Sequence, residues 1–326
     1  MPAKIAPVLE VEHLSIGFES DSGLVSVVED ISFSLNSGET LALVGESGCG
    51  KSLTALAMLQ LLPAFGKILS GSIKLHGREL VGLTEDQMQA IRGNQISMIF
   101  QEPMSALNPV FTIGQQVAEP LLLHKNLSKP EAYQRAIEML EAVGIPDPVS
   151  RANNYPHQLS GGMRQRVIIA IALACEPDIL IADEPTTALD VTIQAQILDL
   201  MHDLQEKFST SILFISHDFG VVSRMADDIA VMYAGRVIEE GSATDVLVKP
   251  KHPYTTALLN TTPRIDISVD RLPAIAGRVP TPAERPQGCC FAPRCSLASE
   301  ICTEERPMTI QLTDSHSTAC HEVGHG

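Results

Sequence analysis

The chain has 326 residues, of which 44% are hydrophobic and 19% charged, and this balance is typical of a globular protein with a substantial core. Its formal net charge of −16 argues against a general nucleic-acid binder, because such proteins need basic surface to neutralise phosphate groups. The first residues lack the apolar run of a secretory signal, and no stretch approaches the roughly 20 apolar residues that cross a bilayer, so the sequence predicts at most a peripheral role at a membrane.

The first part of the chain is predicted to be rich in strands. Apolar and polar residues alternate in its first two segments, which is typical of strands with one buried face. A glycine-rich turn follows a third, fully apolar strand and leads into a predicted helix. The predicted strands cover residues 8–16, 25–35, 40–44, 74–76 and 96–100, and the predicted helix covers residues 53–62.

From about residue 108 to residue 160 the pattern changes to helices, predicted over residues 113–124 and 130–143. Further along, apolar strands alternate with helices again, which predicts a mostly parallel sheet covered by helices on both faces. Strands are predicted at 179–182 and 211–216, helices at 162–174 and 192–208, and a hairpin at 228–233 and 236–240. The sequence therefore predicts an α/β domain over residues 1–248, with a helical subdomain at about 108–160, and a separate extension over residues 249–326.

A glycine-rich loop between the apolar strand at 40–44 and the following helix matches the phosphate-binding pattern G-x-x-x-x-G-K-[ST] in full. In this context the loop N–H groups converge on a phosphate, and the helix N-terminus adds the positive end of its dipole. Lys51 is predicted to reach the β- and γ-phosphates, and the Ser52 hydroxyl to ligate Mg²⁺. The motif alone predicts a P-loop nucleoside triphosphatase. The candidate nucleotide ligands are Gly45, Glu46, Ser47, Gly48, Cys49, Gly50, Lys51 and Ser52.

An apolar strand that ends in two carboxylates provides the second candidate site. Asp183 and Glu184 close the run Ile-Leu-Ile-Ala-Asp-Glu, and Pro185 directly after them indicates that the strand ends there. Because neighbouring side chains on a strand point to opposite faces, the two carboxylates can share one site only where the strand stops. Asp183 is then predicted to hold Mg²⁺ through its water shell, and Glu184 to act as general base for the attacking water.

The segment Leu-Ser-Gly-Gly-Met-Arg-Gln at residues 159–165 resembles the signature sequence of ABC ATPases, and it lies just before the acidic strand, as in that family. Gln101 resembles the glutamine of the Q-loop, and the segment Ala-Leu-Asp that ends at Asp190 resembles the D-loop. His217 resembles the switch histidine, and Phe18 stands where an aromatic residue stacks on adenine. The resemblance implies a P-loop, RecA-like core with an antiparallel β part near the N-terminus and a helical ABC subdomain.

The resemblance also implies roles for these residues. The start of the helix after the signature would form an anion site for the γ-phosphate of ATP bound to a second, homologous subunit. Two nucleotides would thus be sandwiched in a head-to-tail dimer that closes on ATP and opens after hydrolysis. Glu184 would polarise the water, His217 would contact the γ-phosphate, and Gln101 would sense Mg²⁺ and the membrane subunit. The residues of the second anion site are Ser160, Gly161 and Gly162.

The extension resembles the C-terminal part of ATPases from oligopeptide and dipeptide permeases, most closely their D-type subunit. The segments His-Pro-Tyr-Thr at 252–255 and Gly-Cys-Cys-Phe-Ala-Pro-Arg-Cys at 288–295 carry this resemblance, together with Ala-Cys-His at 319–321. It implies an ATP-hydrolysing subunit of a peptide importer, peripheral at the cytoplasmic face of the membrane. Its partners would be an F-type ATPase subunit, two transmembrane permease subunits and, indirectly, an extracytoplasmic substrate-binding protein.

Five of the seven cysteines lie after Gly288, and this clustering indicates metal or redox chemistry rather than a disulfide framework. Some members of the family bind a [4Fe–4S] cluster through late cysteines, and four thiolates suit such a cluster. The close cysteine pairs of structural zinc sites are missing from this set, which disfavours zinc without excluding it, and free thiols are the third alternative. Cys290 stands outside the set. The candidate ligands are Cys289, Cys295, Cys302 and Cys320.

Two other functional classes fit parts of the sequence. Soluble ABC ATPases act on DNA or ribosomes, but they usually carry two cassettes or a long coiled-coil insertion, and this chain has neither. A subunit that binds ATP without hydrolysing it is disfavoured by the intact Glu184 and His217. Among importers, related ATPases serve permeases for nickel, oligosaccharides or opines. No residue of this chain indicates which substrate is transported.

Overall fold

A computed structural model describes residues 6–20, 23–101, 106–187, 189–261 and 274–323, and the chain has the α/β organisation that the sequence predicts. The chain divides into two compact units. Unit 1 consists of Met1–Val8, Leu35–Glu39 and Gly82–Phe214, and unit 2 consists of Leu9–Ser34, Thr40–Val81 and Ile215–Gly326.

Strands and helices alternate along both units. The strands are β1 (Leu9–Ser20), β2 (Gly23–Leu35), β3 (Thr40–Val44), β4 (Gly66–Leu75), β5 (Arg78–Glu79), β6 (Ile96–Ile99), β7 (Ile179–Asp183), β8 (Ser211–Ser216), β9 (Asp228–Tyr233), β10 (Arg236–Ser242), β11 (Ile310–Thr313) and β12 (His316–Thr318). The helices are α1 (Lys51–Met58), α2 (Glu85–Gln89), α3 (Ile113–His124), α4 (Lys129–Ala142), α5 (Pro148–Arg151), α6 (Gly161–Leu173), α7 (Val191–Phe208), α8 (Phe219–Met225), α9 (Ala243–Val248), α10 (Pro253–Thr261) and α11 (Glu300–Glu304). Within the described ranges, none of these helices combines the length and the apolar character that a membrane span needs.

Unit 2 contains the antiparallel N-terminal strands and the strand that precedes the phosphate loop. β1 pairs antiparallel with β4, and β4 pairs antiparallel with β5. β3 pairs parallel with β9, with Leu41 opposite Asp228 and Val44 opposite Val231, and β9 pairs antiparallel with β10. Every residue of β3 is buried, as expected for a core strand that carries apolar side chains on both faces.

Unit 1 combines a parallel strand pair with packed helices. β6 pairs parallel with β7, with Ile96 opposite Ile179. α6 packs on β6 and contacts both α3 and α4. α3 and α4 each begin with a capping box: the Thr112 hydroxyl accepts the Gln115 N–H, and the Glu131 carboxylate accepts the Ser128 N–H. The helical pattern of this part of the sequence therefore reflects real amphipathic helices.

The helix predicted over residues 53–62 is shifted in the structure, because α1 begins at Lys51 and ends at Met58. Gly50 precedes the helix with a φ angle of 107°, a backbone conformation that glycine adopts easily, so the helix starts directly after the loop. At the other end Gln60 has a φ angle of 51°, which turns the chain out of the helix. The apolar run continues past this turn, and for that reason the sequence predicts a helix that extends beyond its real end at Met58.

The strands predicted over residues 8–16 and 74–76 are longer in the structure. β1 runs on to Ser20, and β4 begins already at Gly66. The two strands stay paired to their ends, where Phe18 lies opposite Gly66. Cross-strand hydrogen bonds extend both strands over residues without alternating polarity, so periodicity alone misses these ends.

Residues 249–323, apart from the segment 262–273, continue the fold of unit 2 rather than standing apart from it. β12 pairs antiparallel with β10, and β11 pairs with β12. A buried hydrogen bond joins Glu239 of β10 to His316 of β12, with 2.8 Å between Oε1 and Nε2. The Glu239 carboxylate also accepts hydrogen bonds from the backbone N–H groups of Lys251 and His252. One buried carboxylate thus ties both the beginning and the end of this tail to the sheet.

Candidate nucleotide-binding site

The phosphate loop of unit 2 connects β3 to α1, as the motif requires. Gly45 leaves no room for a side chain, since an added Cβ would lie 2.2 Å from the Met232 carbonyl oxygen. At the other end of the loop, the Gly50 carbonyl accepts hydrogen bonds from both the backbone N–H and the hydroxyl of Thr54, which fix the first turn of α1. The loop is therefore tightly packed at Gly45 and continues directly into the first turn of α1.

Lys51 lies inside this loop and is 5% exposed. Its Nζ donates to the carbonyl oxygens of Gly45, at 2.7 Å, and of Glu46, at 3.2 Å, and lies 3.8 Å from the Cys49 sulfur. Burial raises the pKa of the Cys49 thiol, an effect that the nearby Lys51 charge opposes. The ammonium group is thus a charge held within the loop, where incoming phosphates can take over its contacts.

Two side chains and one backbone N–H group from later parts of unit 2 hold the loop in place. Arg294 forms a bidentate ion pair with Glu46, at 2.7 and 3.1 Å. The Tyr254 hydroxyl accepts a hydrogen bond from the Glu46 N–H at 3.0 Å, and the Gly235 N–H donates to the Cys49 carbonyl at 2.9 Å. Tyr254 and Arg294 lie within the segments that carry the resemblance, but the sequence predicts no role for them, because only the structure shows what they contact.

Two further predicted residues belong to unit 2. His217 is exposed directly after β8, and Asp218 after it caps α8 by accepting the Gly220 N–H at 2.7 Å. Phe18 is half-buried on β1, and its ring covers Gly66, where an added Cβ would lie 2.9 Å from Cε1. One edge of the Phe18 ring is therefore packed against the strand, and the remainder is available for stacking.

In unit 1 the acidic strand ends as predicted. β7 stops at Asp183, which is 3% exposed, and Glu184 turns the chain with a φ angle of 48°. This left-handed conformation is strained for a residue other than glycine, and such strain concentrates at functional sites. The Glu184 Oε2 atom accepts hydrogen bonds from Gln101 Nε2 at 3.3 Å and from the Thr187 hydroxyl at 3.1 Å. The structure thus brings Gln101 and Glu184 together.

The signature segment opens α6. Ser160 caps the helix by accepting the Met163 N–H at 3.3 Å, and Asp190 caps α7 by accepting the Ile193 N–H at 2.9 Å. Gln165, inside the signature, donates from Nε2 to the Pro185 carbonyl at 2.6 Å. This buried contact joins the signature helix to the acidic turn, a task that the sequence motif did not reveal.

All four predicted cluster cysteines are free thiols in one part of unit 2. The Cys289 N–H donates to the Cys302 carbonyl at 2.8 Å. Burial raises the pKa of Cys289 to about 11, and the Cys302 charge adds to this effect. Burial likewise raises the pKa of Cys295 and of Cys320, with Cys302 contributing to both. In the described residues, no group of three or more His, Cys, Asp or Glu side chains is arranged to hold a metal ion.

Comparison with known proteins gives two family matches. The family described as "ABC transporter" matches residues 28–187, and that described as "Oligopeptide/dipeptide transporter, C-terminal region" matches residues 238–302. The chain is 51% identical to the oligopeptide transport ATP-binding protein AppD of Bacillus subtilis over 97% of both chains. It is 50% identical to the dipeptide transport ATP-binding protein DppD of the same organism, over 96% of this chain and 94% of that protein.

Solved structures support the same relationship. The chain resembles the ATP-binding cassette MJ0796, whose structure is a dimer in a post-hydrolysis state with bound ADP and phosphate. The TM-score is 0.64 at 28% sequence identity, and the match covers 72% of this chain and 98% of the cassette. The remaining share of this chain has no counterpart in the cassette.

Proposed function

From the premise that the chain belongs to the ATP-binding subunits of ABC transporters, in the group that serves oligopeptide and dipeptide uptake, we propose which residues carry each step. The protein is an ATPase that powers a peptide importer. The observation that carries this function is the similarity to peptide-transport ATPases over nearly the whole chain, including the C-terminal region that simple cassettes lack.

The phosphates of ATP bind to the loop of residues 45–52. Lys51 transfers its hydrogen bonds from the Gly45 and Glu46 carbonyls to the β- and γ-phosphates, which offer stronger, charged acceptors. The adenine stacks on Phe18. The Ser52 hydroxyl and the Asp183 carboxylate supply the oxygen donors that Mg²⁺ prefers, and the ion neutralises charge on the phosphates when it is bound.

Glu184 acts as the general base that takes a proton from the attacking water. The hydrogen bonds that Gln101 and Thr187 donate to Oε2 orient its carboxylate toward the attacking water. His217 contacts the γ-phosphate, which keeps the reacting group in line with the water. Catalysis here consists of orientation and electrostatic stabilisation, because phosphoryl transfer leaves little covalent chemistry to the protein.

The partner surface lies at the start of α6. Ser160, Gly161 and Gly162 expose amide groups at the N-terminus of a 13-residue helix, which suits the γ-phosphate of ATP bound to a second subunit. Asp190 would communicate between the two subunits through the D-loop. We assign the second subunit to a homologous F-type ATPase, the complex to the cytoplasmic face of the membrane, and the coupling to two permease subunits and an extracytoplasmic substrate-binding protein.

The cysteines of the tail are proposed ligands of a [4Fe–4S] cluster. Cys302 adds to the raised pKa values of Cys289, Cys295 and Cys320, so the four thiols lie in one neighbourhood, which supports a shared site. Four thiolates are the ligand set that such a cluster would take. Anaerobic purification followed by iron, sulfide and zinc analysis tests this: intact protein without iron and sulfide contradicts the cluster, and one equivalent of zinc favours a structural zinc site instead.

The function is tested by uptake in the parent organism. Deleting the gene is expected to make the cells resistant to a toxic di- or tripeptide, and wild-type chain to restore sensitivity, whereas Lys51→Ala does not restore it. Sensitivity that persists after deletion, in a strain without redundant peptide importers, would exclude peptides as the cargo. Uptake of nickel, oligosaccharides and opines by the same strains would then identify the cargo class.

A further inference from the structure

We propose that Arg294 is a positioning residue that holds the phosphate loop in its ATP-binding shape and neutralises Glu46, the acidic residue within that loop. The inference rests on the proposed function, because it gives the C-terminal tail a task in nucleotide binding. Glu46 occupies a variable position of the loop pattern, and Arg294 is separated from it by 248 residues along the chain. The loop motif therefore gives no hint of this contact.

The guanidinium of Arg294 is fully committed to this arrangement. Its side chain is 4% exposed, and all five of its N–H groups have acceptors. Nη1 and Nη2 donate to the two Glu46 oxygens, and the remaining groups donate to the Tyr233 hydroxyl and to the carbonyls of Ile275 and Ala276. The guanidinium also lies over the Tyr233 ring, 5.7 Å from its centroid. Because its guanidinium is held by this many hydrogen bonds, Arg294 is confined to one position, and it therefore fixes the position of the Glu46 carboxylate.

Glu46 is in turn held at three points. Its carboxylate binds Arg294, its N–H donates to the buried Tyr254 hydroxyl at 3.0 Å, and its carbonyl accepts from Lys51 at 3.2 Å. Burial raises the pKa of Tyr254, so this hydroxyl stays protonated and neutral. The residue that follows Gly45 thus links the tail to the lysine that binds phosphate. Displacing Glu46 would displace a carbonyl that holds Lys51 in position before ATP binds.

The charge of Glu46 gives the contact a second consequence. A carboxylate within an anion-binding loop repels the triphosphate, since like charges that are partly buried are poorly screened. The Arg294 guanidinium neutralises this carboxylate at hydrogen-bond distance. Removing Arg294 therefore both frees the loop and leaves a negative charge beside the phosphates. Removing the Glu46 charge as well should undo the repulsion, and this distinguishes positioning from general stabilisation.

The experiment measures the Kd of MgATP and the ATPase kinetics of the full chain. Arg294→Ala is expected to raise the Kd at least about tenfold, as truncation of one partner of a desolvated charge pair does, while kcat at saturating ATP changes less than about threefold. Adding Glu46→Gln to Arg294→Ala should bring the Kd back to within about threefold of that of Glu46→Gln alone. Arg278→Ala is the matched control, because it removes an exposed arginine of the same tail that pairs with Glu284.

Two results would overturn the inference: a Kd for Arg294→Ala within about twofold of wild type, or a double variant whose Kd lies more than about threefold above that of Glu46→Gln alone. Arg294→Gln covers the case in which Arg294→Ala does not fold, since it removes the charge and keeps part of the side-chain volume, and the same reversal by Glu46→Gln is expected. A wild-type chain that binds no MgATP would refute the proposed function. If the wild-type chain hydrolyses ATP and the Arg294 variant binds MgATP equally well, only this inference is refuted.

Discussion

The phosphate loop of unit 2 and the acidic turn of unit 1 are held in opposite ways. The loop is fixed by Arg294, Tyr254 and Gly235, and its lysine is buried. The carboxylate of Glu184 accepts hydrogen bonds from two exposed side chains, those of Gln101 and Thr187, and the residue sits on a strained backbone. A binding loop gains affinity from a shape set in advance, whereas a general base must adjust to a water and to a partner subunit. Substitutions that weaken ATP binding should therefore differ from those that slow ATP hydrolysis.

The largest effect is expected at the acidic turn. Glu184→Gln removes the general base but keeps the side-chain shape, so kcat should fall by roughly 10²–10⁴ while the Kd of MgATP stays within about twofold. Single-turnover hydrolysis and nucleotide binding measure the two quantities. Glu176→Gln, which neutralises an exposed carboxylate of unit 1 paired with Arg135, is the control and should be silent. A Glu184→Gln variant that hydrolyses ATP as fast as the wild type would remove Glu184 from the reaction.

The next effect concerns the support of the loop. Gly235 has a φ angle of 81°, and an added Cβ would lie 2.1 Å from the Val27 carbonyl oxygen. Gly235→Ala should therefore lower the free energy of unfolding by about 3 kcal/mol or more and weaken ATP binding, because the bond from Gly235 to Cys49 is displaced. Thermal and urea unfolding measure the loss.

Gly77→Ala is the matched control for Gly235, since Gly77 has a similar φ of 76° but nothing within 4 Å of an added Cβ. It should cost only about 1–2 kcal/mol, the strain of the left-handed backbone. Equal losses of unfolding free energy in the two variants would show that the close approach of Gly235 to the Val27 carbonyl does not matter. The phosphate loop would then be held less firmly than its contacts indicate.

A third prediction concerns the sheet that carries the loop. Burial raises the pKa of Glu240 on β10 from 4.5 to about 7, and the nearby Asp228 charge adds to the shift. Because the folded chain keeps this proton to a higher pH than the unfolded chain, stability is present below about pH 4.5 and is lost as pH rises through about 7. Glu240→Gln should flatten this part of the pH profile and raise stability at pH 8 by roughly 2–3 kcal/mol. Unfolding midpoints of both proteins between pH 5 and pH 8 measure it, and parallel profiles would contradict it.

The smallest effect is expected at Cys49. This side chain is 1% exposed and its pKa is raised by burial, so it should react slowly with iodoacetamide in the folded protein. Cys49→Ala should change the Kd of MgATP by less than about threefold, because the thiol mainly fills space. Mass spectrometry of the alkylated protein gives the rate, with Cys49 of the urea-unfolded chain as reference. Reaction of Cys49 in the folded protein as fast as in the unfolded chain would mean that the loop opens more readily than its contacts suggest.

The sequence predicts well wherever the signal is local. Short apolar runs predict the bounds of β3, β8 and β9, and Pro185 predicts the strand end at Asp183. The family elements appear in a fixed order, and the predicted function as a peptide-importer ATPase is confirmed by relatives that match over nearly the whole chain. The assigned roles of Gln101, Glu184 and His217 stay predictions, and the Glu184→Gln variant tests the role of Glu184.

What the sequence does not predict are pairings between distant segments. The contact of Arg294 with Glu46 and the pairing of β12 with β10 join residues far apart in the chain, and neither leaves a periodic pattern. The tail looks irregular because its strands are short and its prolines frequent, and its order comes from hydrogen bonds to a sheet built by other residues. Gln165 is a similar case, since its bond to Pro185 is visible only in three dimensions.

The pairing of β10 with β12 has a consequence for how the chain is made. During synthesis β10 emerges long before His316–Thr318, so its outer row of backbone N–H and C=O groups stays open until β12 has left the ribosome. Such an unprotected edge is a template for strand addition by another chain. A chain cut short after α9 would keep this edge open permanently, and would be expected to self-associate where a chain that includes β12 does not.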